Sequence, residues 1–205
     1  MEKESEEYVS STGIVVGASG MQGWRTEMED THVCVDIPSQ PDHLFLAVFD
    51  GHVGVSAAKF AAKEMLNILE NSSPWHDYVA SSCSNIKQLE KIMINIFMEV
   101  DSQMKNEAIY SGSTAVTCII TPKYILCANA GDSRCVMGTN GVAKALSDDH
   151  KPRNDAEMKR ILAAGGFVQW DRVDGDLAVS RALGDFSYKN RPDLPPKDQK
   201  VSLYL

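Results

Sequence analysis

The chain has 205 residues, 43 % hydrophobic and 23 % charged, with a net charge of −8. This is enough length to bury one sizeable core, and the composition is that of a globular domain, excluding disordered and fibrous classes. Residues 1–50 hold ten acids against Lys3 and Arg25, while residues 51–205 balance at eighteen of each sign; a surface with no basic excess argues against nucleic acid as a partner and is compatible with cations.

In chain order, residues 1–11 read as a loose polar lead, without the apolar segment of a signal peptide. "TGIVVGAS" and "THVCVDI" read as short strands, and "HLFLAVFD" as a hydrophobic strand that delivers Asp50, Gly51 and His52 to a loop. From Ser56 to Leu69 the period becomes helical, with Ala58, Ala61, Ala62, Met65, Leu66 and Leu69 on one face. "NSSPWHDYVASSCSN" reads as a connector broken at Pro74. A longer helix follows from Ile86 to Glu107, its stripe of Leu89, Ile92, Met93, Ile96, Phe97, Val100 and Met104 reading as core packing. "STAVTCII", "YILCANA" and "SRCVMG" predict an antiparallel meander, with Asn140-Gly141 turning a hairpin after it. "NDAEMKRILAAGG" predicts a helix capped by Asn154, with Glu157 completing a capping box and Gly165 as the left-handed stop. "FVQW" is a further strand, "DRVDGDLAVSRALGDFSYKN" a structured loop region, and "VSLYL" an apolar strand-like end.

No run approaches a membrane span. The five cysteines (34, 83, 118, 127 and 135) are odd in number and lack a CxxC pair, so they predict free thiols in a reducing compartment; cytoplasm or nucleus is the default. Strands on both sides of the helices favour α+β layers over a doubly wound parallel sheet.

Four acids stand at strand ends or turns: Asp30, Asp50, Asp132 and Asp185. Each would serve as a turn residue on its own. If several converge, their repulsion calls for a cation, and all-oxygen ligation favours magnesium, manganese or calcium over zinc. Gly51 would let a backbone carbonyl approach such an ion. Two ions about 3.5–4 Å apart activate water and clamp phosphoryl oxygens. The planar donors of Arg25, in "GWRTEMEDTH", match phosphate geometry.

"MQGWRTEMEDTH", "VFDGHVG", "SGSTAV", "ANAGDSR", "LSDDHKP", the Glu157-x-x-Arg160-Ile161 run, "AAGGFV" and "RVDGDLAVSRALGDFSYK" together resemble, in order, the signature blocks of the metal-dependent protein serine/threonine phosphatases of the PPM class, type 2C. The resemblance runs from Gly17 to Lys200. It implies a four-layer α-β-β-α sandwich with two central antiparallel sheets, spanning residues 12–205 after the lead, and a two-metal site at one edge of the sheets. By similarity Asp50 bridges two Mn²⁺ or Mg²⁺ ions, Gly51 offers its carbonyl, and Asp30 and Glu29 belong to the metal shell directly or through water. Arg25 matches the phosphate-holding arginine, His52 the general acid for the departing oxygen, and Asp132 an acid of an additional, weaker metal position. The implied reaction is hydrolysis of phosphoserine and phosphothreonine in proteins by a metal-activated water, without a phosphoenzyme. Gly112, Ser113 and Thr114 read as a tight strand entrance, and Arg172, Arg181 and Asp185 as salt-bridge formers near the site. The chain departs from the pattern at Val53, where a small residue is common, and in lacking the family's late acid-Gly and Gly-x-Asp-Asn blocks, whose acids complete the metal shell. The expectation is therefore a domain incomplete at its C-terminus. The rival reading is a weak or inactive form acting as a binding module, a homodimer through an open sheet edge being its simplest assembly.

Overall fold

The computed structural model describes residues 3–203. Its first element is a strand, β1 (Glu4–Val9), paired antiparallel along its whole length with β2 (Val15–Gly20). The loose lead is therefore corrected. The Tyr8 hydroxyl accepts from the Asp36 amide at 2.9 Å, and Glu6 meets His32 at 2.6 Å, so side-chain ties to the neighbouring strand hold a polar segment extended.

β3 (Asp30–Ile37) and β4 (Gln40–His52) form a hairpin in which Asp30 lies opposite Asp50 and Val35 opposite Phe45. Alternation along β4 buries Phe45, Ala47 and Phe49 on one face and leaves Leu46 and Val48 on the other. Helices α1 (Ser56–Glu70), α2 (Ser73–Ala80) and α3 (Ile86–Asn106) cover the first face, contributing Ala58, Met65, Leu69, Trp75, Tyr78 and the full predicted stripe from Leu89 to Met104 to one core. The segment read as a connector is thus largely α2. Pro74 sits in its first turn, where a missing amide hydrogen costs nothing, and the Ser72 hydroxyl accepts from the Trp75 amide.

β5 (Gly112–Ser113), β6 (Ala115–Ile120) and β7 (Ile125–Ala130) extend the sheet. β8 (Val136–Thr139) turns through Asn140-Gly141, both with positive φ, into β9 (Val142–Ala145). This hairpin stands apart from β7 and does not continue the predicted meander. After α4 (Asp155–Ala163) come a second small hairpin, β10 (Val168–Gln169) with β11 (Arg172–Val173), and β12 (Leu183–Gly184), which returns to the main sheet. The six-stranded sheet runs β12-β5-β4-β6-β7, with β3 on the other side of β4. With three two-stranded sheets beside it, the architecture is an α+β sandwich of antiparallel sheets flanked by helices. Among the described residues the second sheet layer consists of separate hairpins. Ile161, Val173, Leu177, Val179, Ala182 and Val201 form a second core under α4, and Ser202 bridges to Arg181; Tyr204 and Leu205 of the predicted terminal strand lie outside the described residues.

The α4 cap differs from expectation. Asn154 occupies the N-cap position, but its side-chain NH2 donates to the Asp149 carbonyl at 2.7 Å instead of its side-chain oxygen capping α4. Glu157 turns inward and is buried, accepting from Arg160, Ser180 and Arg181 at 2.6–3.1 Å. Two guanidinium groups outbid the helix's own amides for that carboxylate. Gly165 has φ +81°, as the left-handed stop requires.

Candidate active site

The end of β4 and the start of β3 meet at one edge of the main sheet. Residues directly opposite in an antiparallel pair project to the same face, so Asp30 and Asp50 confront each other. Desolvation, then the negative charges of Asp30 and Asp132, push the Asp50 carboxyl up. With Met21, Gln22, Arg25, Glu27, Met28, Glu29 and Gly51 these two acids line a polar cleft of about 220 Å³.

Gly51 also serves this junction sterically. A β-carbon there would lie 2.6 Å from the Glu29 carbonyl oxygen and 3.3 Å from the Ala58 side chain, so the glycine lets β3, β4 and α1 close together. Glu29 faces the loop after His52: its Oε1 accepts from the Gly54 amide at 2.6 Å, and its Oε2 lies 3.8 Å from the Arg25 guanidinium. Arg25 itself is 77 % exposed, its donors open to a solvent-borne anion. Glu27 is exposed on the cleft rim.

Asp132 comes close enough to act on Asp50 electrostatically, but its carboxylate is ion-paired with Lys151. An ion at the additional position read from sequence would have to displace that ammonium. The strand entrance at Thr114 does more than turn the chain. The Thr114 amide donates to the Asp50 carbonyl at 2.9 Å, the Asp50 amide to the Thr114 hydroxyl at 3.2 Å, and that hydroxyl meets Ser133 at 2.7 Å. Asp50 is thereby clamped on both backbone faces.

His52 closes β4 with its Nε2 2.7 Å from Asp185 Oδ2. Burial alone would lower the imidazole; the Asp185 hydrogen bond and charge, helped by Asp50 and Glu29, outweigh it and raise it. Asp185, read from sequence as a salt-bridge former beside the site, is thus inside it. The next residue, Val53, is 82 % exposed and held at φ +57°, a region a β-branched side chain avoids. Of the residues singled out in sequence, the fold brings Arg25, Glu29, Asp30, Asp50, Gly51 and His52 to one edge, with Asp132 adjoining. Thr114 and Asp185 are the ones whose parts were missed; Asp185 was signalled as an acid at a turn and Thr114 only by its presence in a quoted motif block.

A divalent cation fits the donor chemistry of this edge. Two carboxylates face each other on adjacent strands, and the charge of Asp30 pushes the Asp50 carboxyl up; a hard, oxygen-seeking ion relieves this. Among the described residues no three His, Cys, Asp or Glu side chains converge to enclose an ion by themselves.

Comparison with known proteins accords with this geometry. The protein phosphatase 2C family model matches residues 14–202. Protein phosphatase 2C homolog 2 of Saccharomyces cerevisiae is 38 % identical over 98 % of this chain and 44 % of its own length. Human protein phosphatase 1A is 41 % identical over 98 % of this chain and 54 % of its own. The crystal structure of serine-threonine phosphatase 2C from Toxoplasma gondii superposes with a TM-score of 0.73 at 20 % identity, covering 98 % of this chain and 71 % of that one, a likeness of fold. The chain spans about half the length of the curated relatives it matches. With nearly all of its length matched by the family model and the facing acids where two strands of that fold meet, the chain belongs to the protein phosphatase 2C family.

Proposed function

We propose that the chain hydrolyses phosphoserine and phosphothreonine in proteins, with Mn²⁺ or Mg²⁺ as cofactor, in a cytoplasmic or nuclear setting. The observation that carries the reading is the single polar cleft shared by Arg25, Asp30 and Asp50, with His52 two residues beyond Asp50 on the same strand. Asp30, Asp50 and the Gly51 carbonyl would hold the metal, with Glu29 bracing them through Gly54 and Arg25. When bound, the metal supplies Lewis acidity to the phosphoryl oxygens and a water of lowered pKa. Arg25 binds the phosphate dianion through its exposed guanidinium, fixing phosphorus over the cleft. His52, 2.7 Å from Asp185, carries the proton that the departing alkoxide needs, a transfer imidazole performs near neutral pH.

Comparing Mn²⁺-dependent hydrolysis of a phosphothreonine peptide by this chain and by Asp50→Ala tests the reading. Activity in the parent alone supports it; equal background in both sinks it. A second reading, a binding module that pairs with another copy, rests on β7, which ends the main sheet. Sizing across a range of concentrations distinguishes it, since edge pairing makes the apparent mass rise with concentration and a constant monomer removes it.

A further inference from the structure

We propose that Asp185 is a positioning residue that holds the Nε2 edge of His52, so that Nδ1 is the nitrogen delivering the proton to the leaving oxygen. The inference rests on the function proposed above and specifies which atom of the general acid faces the substrate. His52 and Gly184 both lie opposite Gly112, on the two strands that flank β5. The His52–Asp185 hydrogen bond passes directly over Gly112, where a β-carbon would overlap both His52 Nε2 and Asp185 Oδ1. Gly184, at φ +74°, allows β12 to approach the Ser111 carbonyl, and Asp185 itself adopts φ +51°, ψ +40°. A non-glycine residue in that region costs free energy, and here the conformation turns a carboxylate that is only 7 % exposed onto the imidazole. From the other side, α3 fixes β12 in place, because Asp101 accepts from the Gly184 amide at 2.8 Å and from Lys189 at 2.7 Å. Three strands, two glycines and a left-handed aspartate thus converge on one hydrogen bond.

The chemical consequence follows from what each atom can do. A carboxylate only accepts, so Nε2 keeps its hydrogen and Nδ1 becomes the exchangeable position. As the water oxygen bonds to phosphorus, the phosphorus–Oγ bond breaks and its electron pair takes the Nδ1 proton. His52 is left neutral with Nε2–H still on Asp185. The surplus proton of the attacking water leaves with phosphate or to solvent, and a solvent proton restores Nδ1. Products are the free hydroxyl side chain and inorganic phosphate.

The test pairs two substrates with one spectrum. A phosphothreonine peptide has an alkoxide leaving group that needs a proton, whereas p-nitrophenyl phosphate leaves as a stabilised phenolate. Asp185→Asn should cut kcat for the peptide by about 10²-fold with KM changed less than about 2-fold, and kcat for the aryl ester by less than about 5-fold. His52→Gln should show the same split, and the double variant should lose no more. Equal losses on both substrates, or a change in KM alone, would overturn the proposal. Independently of activity, ¹⁵N spectra of the unmodified chain should show neutral His52 as the Nε2–H tautomer, and Asp185→Asn should mix the tautomers. A neutral Nδ1–H form in the unmodified chain would refute the assignment even where no turnover is measured, whereas loss of turnover with the Nε2–H form intact would count against the proposed function alone.

Discussion

Single atoms decide this site. Gly112 is the plainest case, because adding one methyl group drives into the His52–Asp185 contact. On the proposed function, Gly112→Ala should lower turnover of a phosphothreonine peptide by about tenfold or more by separating His52, the proposed general acid, from Asp185; steady-state kinetics of the purified variant check this. Arg25 gives the opposite profile. With its side chain 77 % exposed, Arg25→Ala should change stability by less than about 0.5 kcal/mol while raising KM for the phosphopeptide about tenfold or more. Urea denaturation and kinetics on the same sample read the two effects separately. His150 sets a pH limit. Burial, then the charge of Arg181, lower its imidazole from the ordinary 6.5 to about 4, and the Gly131 amide points at its Nδ1. Between these values unfolded His150 binds more protons than the folded residue, so this group contributes stability that rises with pH across that window. Thermal midpoints should fall as pH drops from 6.5 toward 4, and His150→Gln should flatten the slope.

Among the elements, α4 shows how a local signal is overruled. The Asn154–Glu157 spacing is that of a capping box, and a helix does start there. Yet Glu157 spends its carboxylate on Arg160, Ser180 and Arg181, tying α4 to the segment that leads into β12. After desolvation, which opposes it, those partners lower the Glu157 carboxyl, so its contribution is present above the unfolded pKa and lost as pH falls through the folded one. Glu157→Ala strands two positive groups and should cost about 3–5 kcal/mol, measured by chemical denaturation. Strand alternation in β4 and helical periodicity in α1 and α3 were readable because burial writes them into every third or second residue. α2 was not, since Pro74 marks a helix start as well as a break, and β1 was not, since its residues are acidic and its pairing depends on a partner strand. The acids of the cleft were legible as strand-end residues. Asp185 was not legible as the partner of His52, because 133 positions separate them and only the sheet order makes them neighbours.

At the scale of the whole molecule, the charge excess confined to residues 1–50 lies in the part of the chain that builds β1 to β4 and the cleft. A phosphorylated peptide with basic flanks should therefore be captured better than one with acidic flanks. The gap in kcat/KM should narrow as salt rises from about 0.01 to about 0.15 M, where the screening length falls from about 30 to about 8 Å. Kinetics with two peptides differing only in flanking charge check this; a gap independent of salt would place the discrimination in direct contacts instead.

β4 carries both halves of the protein's logic on one thirteen-residue strand: Phe45, Ala47 and Phe49 in the core, then Asp50, Gly51 and His52 at the cleft. Because side chains alternate strictly, a slip of one residue against β3 or β6 would expose those aromatics and turn Asp50 inward. A misaligned copy would not survive as a stable molecule with a scrambled cleft; it would fail to fold. The core thus acts as an inspector of the cleft, and to be folded at all is to have Asp50 on the correct face.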